Sequence, residues 1–269
     1  MGNFTAFQNI LPDPNNRINN AGADNSATDA GAYGAGYSAV SFSSNQKVLR
    51  DRTNSGRLLA RAKTGHNWKI KISYNPMTRE EFEPINTFLL QRRGALNPFF
   101  VSLPQYRLPR DTAFSSWVQE SGGSPPQLLN NLHVVTSAAA NSTGAAGSTS
   151  LLLEDAKATK DYTVATDKTP LPGDLFTIDG TNSNHKKTYQ VTRVETNDDY
   201  HLVNSSPTRP STNQVRIHFA PALSKAVVAG DDLIFNDPKI KVIITGDVQE
   251  YALNTNNLYA FSLSLEEVQ

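Results

Sequence analysis

Trp68-Lys69-Ile70-Lys71-Ile72-Ser73-Tyr74 alternates large apolar side chains with lysine and serine. Successive side chains of a β strand point to opposite faces, so Trp68, Ile70, Ile72 and Tyr74 share one face while Lys69, Lys71 and Ser73 share the other. That is the pattern of a strand with one buried and one wet face, and it sets the fold class as mainly β. Upstream, Val40 and Phe42 alternate in the same sense. The intervening residues 45–65 contain Asn54-Ser55-Gly56, whose turn chemistry suits the tip of a hairpin or a long loop.

Downstream of Asn75-Pro76-Met77, Thr78 and Glu81 fit a capping box. Phe82, Ile85, Phe88 and Leu89 then recur at helical spacing before Gly94 offers a stop. One helix is expected over about residues 79–92. Pro84 lies deep for a proline, because its missing N–H removes a backbone bond, and this shifts the expected start of the regular helix toward Glu83. Pro98-Phe99-Phe100-Val101-Ser102-Leu103 reads as another strand. In the closing segment, Tyr259, Phe261, Leu263 and Leu265 oppose Leu258, Ala260, Ser262 and Ser264, with a bulge expected near Leu258. Core positions are assigned to Trp68, Ile70, Ile72, Tyr74, Phe82, Phe261 and Leu263.

Residues 121–149 are rich in Ser, Gly, Ala and Asn. They precede short strand candidates at Leu151–Leu153, Leu175–Ile178, Tyr189–Val194 and Val215–Phe219, a spacing that suits a small β barrel or sandwich. Apolar strands resume at Leu233–Phe235 and Ile240–Ile244. The expected organisation is an extended arm over 1–37, a β core from 38–122 and 223–269, and an inserted β module over 123–222. Residues 12–37 carry almost no large apolar side chains with which to offset ordering entropy, which suits a disordered terminus as well as an arm that orders against a neighbouring subunit.

Lys plus Arg equals Asp plus Glu at 25 each, so the chain as a whole has no field that would draw it to nucleic acid or an anionic membrane. Absence of cysteine excludes disulfides, thiol nucleophiles and Cys-based zinc sites. The opening residues Met1-Gly2-Asn3-Phe4 show no signal-like pattern, and no stretch approaches the roughly 18 apolar residues of a spanning helix, so neither a cleaved signal nor a membrane partner is expected.

Catalytic signatures are equally sparse. His66, His133, His185, His201 and His218 are scattered, with no pair at a metal-binding helical spacing, and His218, between Ile217 and Phe219, reads as a solvent-facing strand residue. Phosphate-binding loops and a nucleophile elbow are missing, and Gly31-Ala32-Tyr33-Gly34-Ala35-Gly36 has the wrong spacing for a dinucleotide fingerprint. The adjacent carboxylates Glu80-Glu81, Glu154-Asp155, Asp198-Asp199, Asp231-Asp232 and Glu266-Glu267 read as helix starts, turns or termini. The sequons at Asn3, Asn141 and Asn204 carry no weight in an Asn/Ser/Thr-rich chain. Trp117, Tyr162 and Tyr200 could form a sugar platform, with core packing the commoner role. No enzyme, cofactor or metal site is expected.

One local charge asymmetry stands out. Residues 45–65 hold Lys47, Arg50, Arg52, Arg57, Arg61 and Lys63 against a single acid, Asp51. A solvated surface loop is the default reading and binding to nucleic acid or to an acidic face of another subunit the sharper one; cations on a turn-tipped segment have little reason to enter their own core, and the hairpin setting favours subunit contact.

The run Trp68–Tyr74, then Met77-Thr78-Arg79-Glu80-Glu81-Phe82, a helix into Gly94 and Asn97-Pro98-Phe99-Phe100 resembles phage tail-tube and distal-tail ring proteins. The closing Tyr259-Ala260-Phe261-Ser262-Leu263-Ser264-Leu265-Glu266 resembles the last strand of that group, and Pro172–Gly180 followed by Tyr189-Gln190-Val191 is similar to small barrel modules of tail proteins. The resemblance implies a β sandwich or barrel with one flanking helix, assembled into a six-fold ring (a homohexamer) whose sheets form an inner barrel. It further implies a virion location in the tail, host cytoplasm during assembly, and partners that are itself and other tail-tube and baseplate proteins. DNA is then only passing cargo during genome ejection. The insertion and arm favour the tube end or baseplate hub over the repeated tube subunit. The main alternative is a carbohydrate- or receptor-binding tail module, and a third is a glycan-cleaving tail enzyme.

Overall fold

The computed structural model of the chain describes residues 9–12, 37–119, 132–135, 144–155, 161–162, 169–179, 185, 187–199, 209–246 and 251–268, the side chains of 62–64 apart. In chain order the regular elements are β1 (Tyr37–Arg52), β2 (Leu58–Tyr74), α1 (Arg79–Arg92), β3 (Phe99–Val101), α2 (Thr112–Gln119), β4 (Leu132–Val134), β5 (Ser150–Asp155), β6 (Leu175–Asp179), β7 (Thr188–Glu195), β8 (Gln214–Ala220), β9 (Asp232–Ile234), β10 (Ile240–Ile244), β11 (Tyr251–Leu253) and β12 (Tyr259–Glu267). The fold is mainly β, as the alternation requires. It divides into two units, the first from residues 1–101 and 240–269, the second from 102–239.

The first unit is an antiparallel sheet in the order β1-β2-β12-β10-β3, with β11 added beside β12. It pairs two strands whose alternation was read separately from sequence: Ile72 faces Leu263 and Ile70 faces Leu265, while Lys71 faces Ser264 on the opposite surface. Trp68, Ile70, Ile72, Tyr74, Phe261 and Leu263 are buried. Helix α1 covers the apolar face through Phe82, whose ring lies 5.8 Å from Phe261, and Phe88, edge-on to Phe99 at 5.4 Å. Each such fully buried side chain contributes about 1.5–3 kcal/mol. Ile70→Ala is therefore expected to lower unfolding free energy by about 2–5 kcal/mol, against less than about 1 for Lys71→Ala, in denaturant titration. Equal small effects would mean the faces are misassigned.

Two local expectations need correcting. The helix begins at Arg79, not near Glu83: the Glu81 carboxylate accepts from the Thr78 N–H (2.8 Å) and hydroxyl (3.0 Å), which fixes the first turn, and the Pro84 ring is buried. Its end is a left-handed Arg93 followed by Gly94. No bulge occurs near Leu258. That residue closes a turn, its N–H donating to Asn254 Oδ1 at 2.9 Å, and β12 then alternates without a register shift.

The second unit is a closed barrel in the order β4-β5-β8-β7-β6-β9. Phe176 sits at its centre, 5.3–5.6 Å from the rings of Tyr189, Phe219 and Phe235. Helix α2, which has too few periodic residues to stand out in sequence, gives Phe114, Trp117 and Val118 to the same core, and β9 gives Leu233. The unit therefore runs from Ser102 to Lys239 instead of 123 to 222, because Leu233 and Phe235, read from sequence as part of the first core, close the barrel. The expected arm over 1–37 lies outside the described residues except 9–12 and Tyr37. So does most of the Ser/Gly-rich stretch, as do Tyr200, His201 and the sequons at Asn3, Asn141 and Asn204.

Candidate subunit interface

β1 and β2 form one long hairpin, and its outer half is where the basic residues stand. The tip is held by Thr53 N–H donating to the Arg57 carbonyl (3.0 Å) and Gly56 N–H donating to the Thr53 carbonyl (2.8 Å), with Gly56 at φ +84°. A positive φ at that place is one glycine adopts without a Cβ penalty. β12 pairs with β2 only over Lys69–Ser73, so the outer half, past the shift between Gln46 and Val48, is a two-stranded ribbon.

Register assigns its faces. Val48, Arg50, Arg52, Leu58 and Ala60 share one, and Leu49, Asp51, Leu59 and Arg61 share the other. Lys47, Arg50, Arg52, Arg57 and Arg61 are exposed, and the side chain of Lys63 lies outside the described part. Sequence reading missed the apolar partners of these cations: Leu49 is 60% exposed, Leu58 54% and Leu59 48%. The signal was present as Val48-Leu49 and Leu58-Leu59, but it becomes legible only once the cross-strand register shows that no third described strand covers them. Arginines among exposed branched apolar side chains have the composition of an interface core, and an isolated two-stranded ribbon is marginal in water.

The inner half of β1 is the last strand of the sheet on this side among the described residues. Within them Tyr37–Gln46 pairs with β2 alone, and it carries neither charge nor proline, the usual devices against edge-to-edge pairing. The opposite edge is covered by the chain itself: Phe100 donates to the Asn9 carbonyl (2.7 Å) and accepts from the Leu11 N–H (2.8 Å), with Leu11 buried. The sheet's wet surface is built from cross-strand rows, Ser41–Lys71–Ser264 and Ser43–Lys69–Glu266, with Lys241 on β10 facing the same way.

In the barrel, Trp117 and Tyr162 are buried in the core, so neither offers a sugar platform. Among the described residues no group of three or more metal-ligating side chains is placed to hold an ion. The outer face of β7 and β8 holds a buried Glu195 between Arg193, Arg216 and His218, the last two at 3.7 and 3.4 Å. His218 is thus a half-buried partner of a carboxylate and not a freely solvated residue. His185 is buried against the Tyr189 hydroxyl at 2.6 Å. Burial holds both imidazoles below their ordinary range, with nearby Lys225 adding to the effect at His185 and Arg193 and Arg216 at His218.

These two histidines are neutral in the fold and bind protons more readily when unfolded. Stability is then fully present above the unfolded imidazole range and falls as pH drops through it, by up to about 1.4 kcal/mol per pH unit per histidine. Asp174, raised by burial, has the opposite sign, but it acts lower, around the carboxylate range. The denaturation midpoint is expected to fall between neutral pH and about pH 5.5, and His185→Gln to flatten that slope. An unchanged slope would show that His185 titrates alike in both states.

Residues 25–106 match the family described as distal tail protein pb9, A domain, N-terminal. The match spans β1, β2, α1 and β3, and over these residues the resemblance to phage distal tail proteins is borne out. It supports a structural place in a phage tail. No curated protein matches the chain.

Proposed function

We propose that the chain is a non-enzymatic structural protein of the distal end of a phage tail. Its copies close a six-fold ring that acts as adaptor and conduit for genome delivery, at the tube end or baseplate hub. The observation that carries this reading is the uncharged, proline-free edge of β1 running directly into an exposed Arg/Leu ribbon. A second copy is the fitting occupant. The 45–65 segment has six cations and one acid, so the remaining 19 basic and 24 acidic residues leave the rest of the chain at net −5, complementary to the ribbon's +5. On this reading the partners are other copies of the chain and neighbouring tube and baseplate proteins, DNA is passing cargo, and neither a cofactor nor a membrane has a part.

Because the chain has no cysteine, one spin label can be placed cleanly at Leu90→Cys, an exposed position on α1. Pulsed dipolar spectroscopy on assembled protein is expected to give a set of intermolecular distances fitting a six-fold ring. Absence of any intermolecular distance under assembling conditions would contradict ring closure.

A further inference from the structure

The sheet's wet surface differs in charge from the chain that carries it. Among the described residues, Lys69, Lys71 and Lys241 stand on it against one carboxylate, Glu266, so it is locally basic in a protein of net charge zero. Glu266 lies across from Lys69 and is held by the Asn67 side-chain amide. Lys71 is flanked instead by Ser41 and Ser264, both exposed, whose short hydroxyl side chains leave its ammonium group approachable and offer neutral donors beside it. We propose that this Lys71-centred row is a phosphodiester contact, used by nucleic acid crossing the ring, and that its chemistry is sequence-independent.

Three physical points favour this occupant. Ammonium groups bind phosphate as point charges without demanding bidentate geometry, which suits a polymer that must move. The two rows carry only Ser, Lys and Glu, and the planar amides of the next row, Asn45 and Asn67, are bonded to each other and to Glu266, so contacts would fall on the backbone alone. Ring symmetry would repeat each weak contact around the lumen, giving affinity through number while every single contact remains easily broken by salt. The inference rests on the ring reading given above, and it adds which surface meets the nucleic acid and through which residues.

The test uses assembled full-length protein and a fluorescent duplex of arbitrary sequence in anisotropy titrations at several salt concentrations. Lys69→Glu/Lys71→Glu is expected to weaken binding about tenfold at low salt and to flatten the salt dependence. Lys69→Arg/Lys71→Arg is expected to retain it, and exchanging the duplex sequence to change nothing. Imaging of the same samples separates the two claims. Rings that form normally but bind the duplex equally well with and without the Glu pair would overturn the phosphate contact and leave ring closure standing. Failure of the wild-type chain to form rings under any assembling condition would overturn ring closure and this inference with it.

Discussion

Changing Arg57 and Arg61 together to Glu is expected to abolish tail assembly while leaving the isolated subunit's circular dichroism and melting temperature unchanged. Both guanidinium groups are exposed on a ribbon that no other described strand covers, so reversing them touches little in the monomer, where a surface charge is worth about 0–1 kcal/mol. In the assembled state the same groups would be desolvated against an acidic neighbour. Reversal then introduces like charges in a low-dielectric contact, and because every copy carries the change, the penalty recurs at each interface around the ring. Normal assembly of the double variant would reduce the ribbon to a solvated surface. Unfolding of the monomer would place these arginines inside it.

The second large effect concerns where the chain can be cut. Val101 and Ile240 are cross-strand partners at the end of β3 and the start of β10, so Ser102–Lys239 leaves and re-enters the sheet at one place. Replacing that whole segment by a short Asn-Gly turn is expected to leave a folded first unit, since the two strand ends already stand at hairpin distance. Cutting at 123 and 222, the boundaries suggested by composition, should fail. It strands Phe114, Trp117 and Val118 on α2, and Leu233 and Phe235 around β9, without the barrel core that buries them. Thermal unfolding and solubility of the two deletions compare directly; a well-folded product from the inner cut and an aggregated one from the outer would reverse the domain assignment.

What could be read from residues alone follows from how local each signal is. The 68–74 alternation, the Thr78/Glu81 cap and the Phe82–Leu89 periodicity are complete within a few residues of sequence, and each corresponds to an element in the structure. Boundaries that depend on distant partners were illegible. α2 has only one turn of apolar positions, and β9 looks like any short apolar run until closure of the barrel with β4 shows which core it serves. The ribbon shows both kinds of signal. Its charge can be counted in sequence, but its exposed Leu49, Leu58 and Leu59, and the open edge of β1 beside them, exist only as consequences of pairing. A strand edge is a property of the sheet, and no single residue announces it.

The most direct measurement is electron cryomicroscopy of tails containing the chain, at a resolution that traces β1. A closed six-fold ring is expected at the distal end, with the Tyr37–Gln46 edge paired to the neighbouring copy, the basic ribbon buried between copies, and the Lys71 surface facing the lumen. A chain present in single copy, or a ring in which the edge of β1 and the ribbon both face solvent, would contradict it.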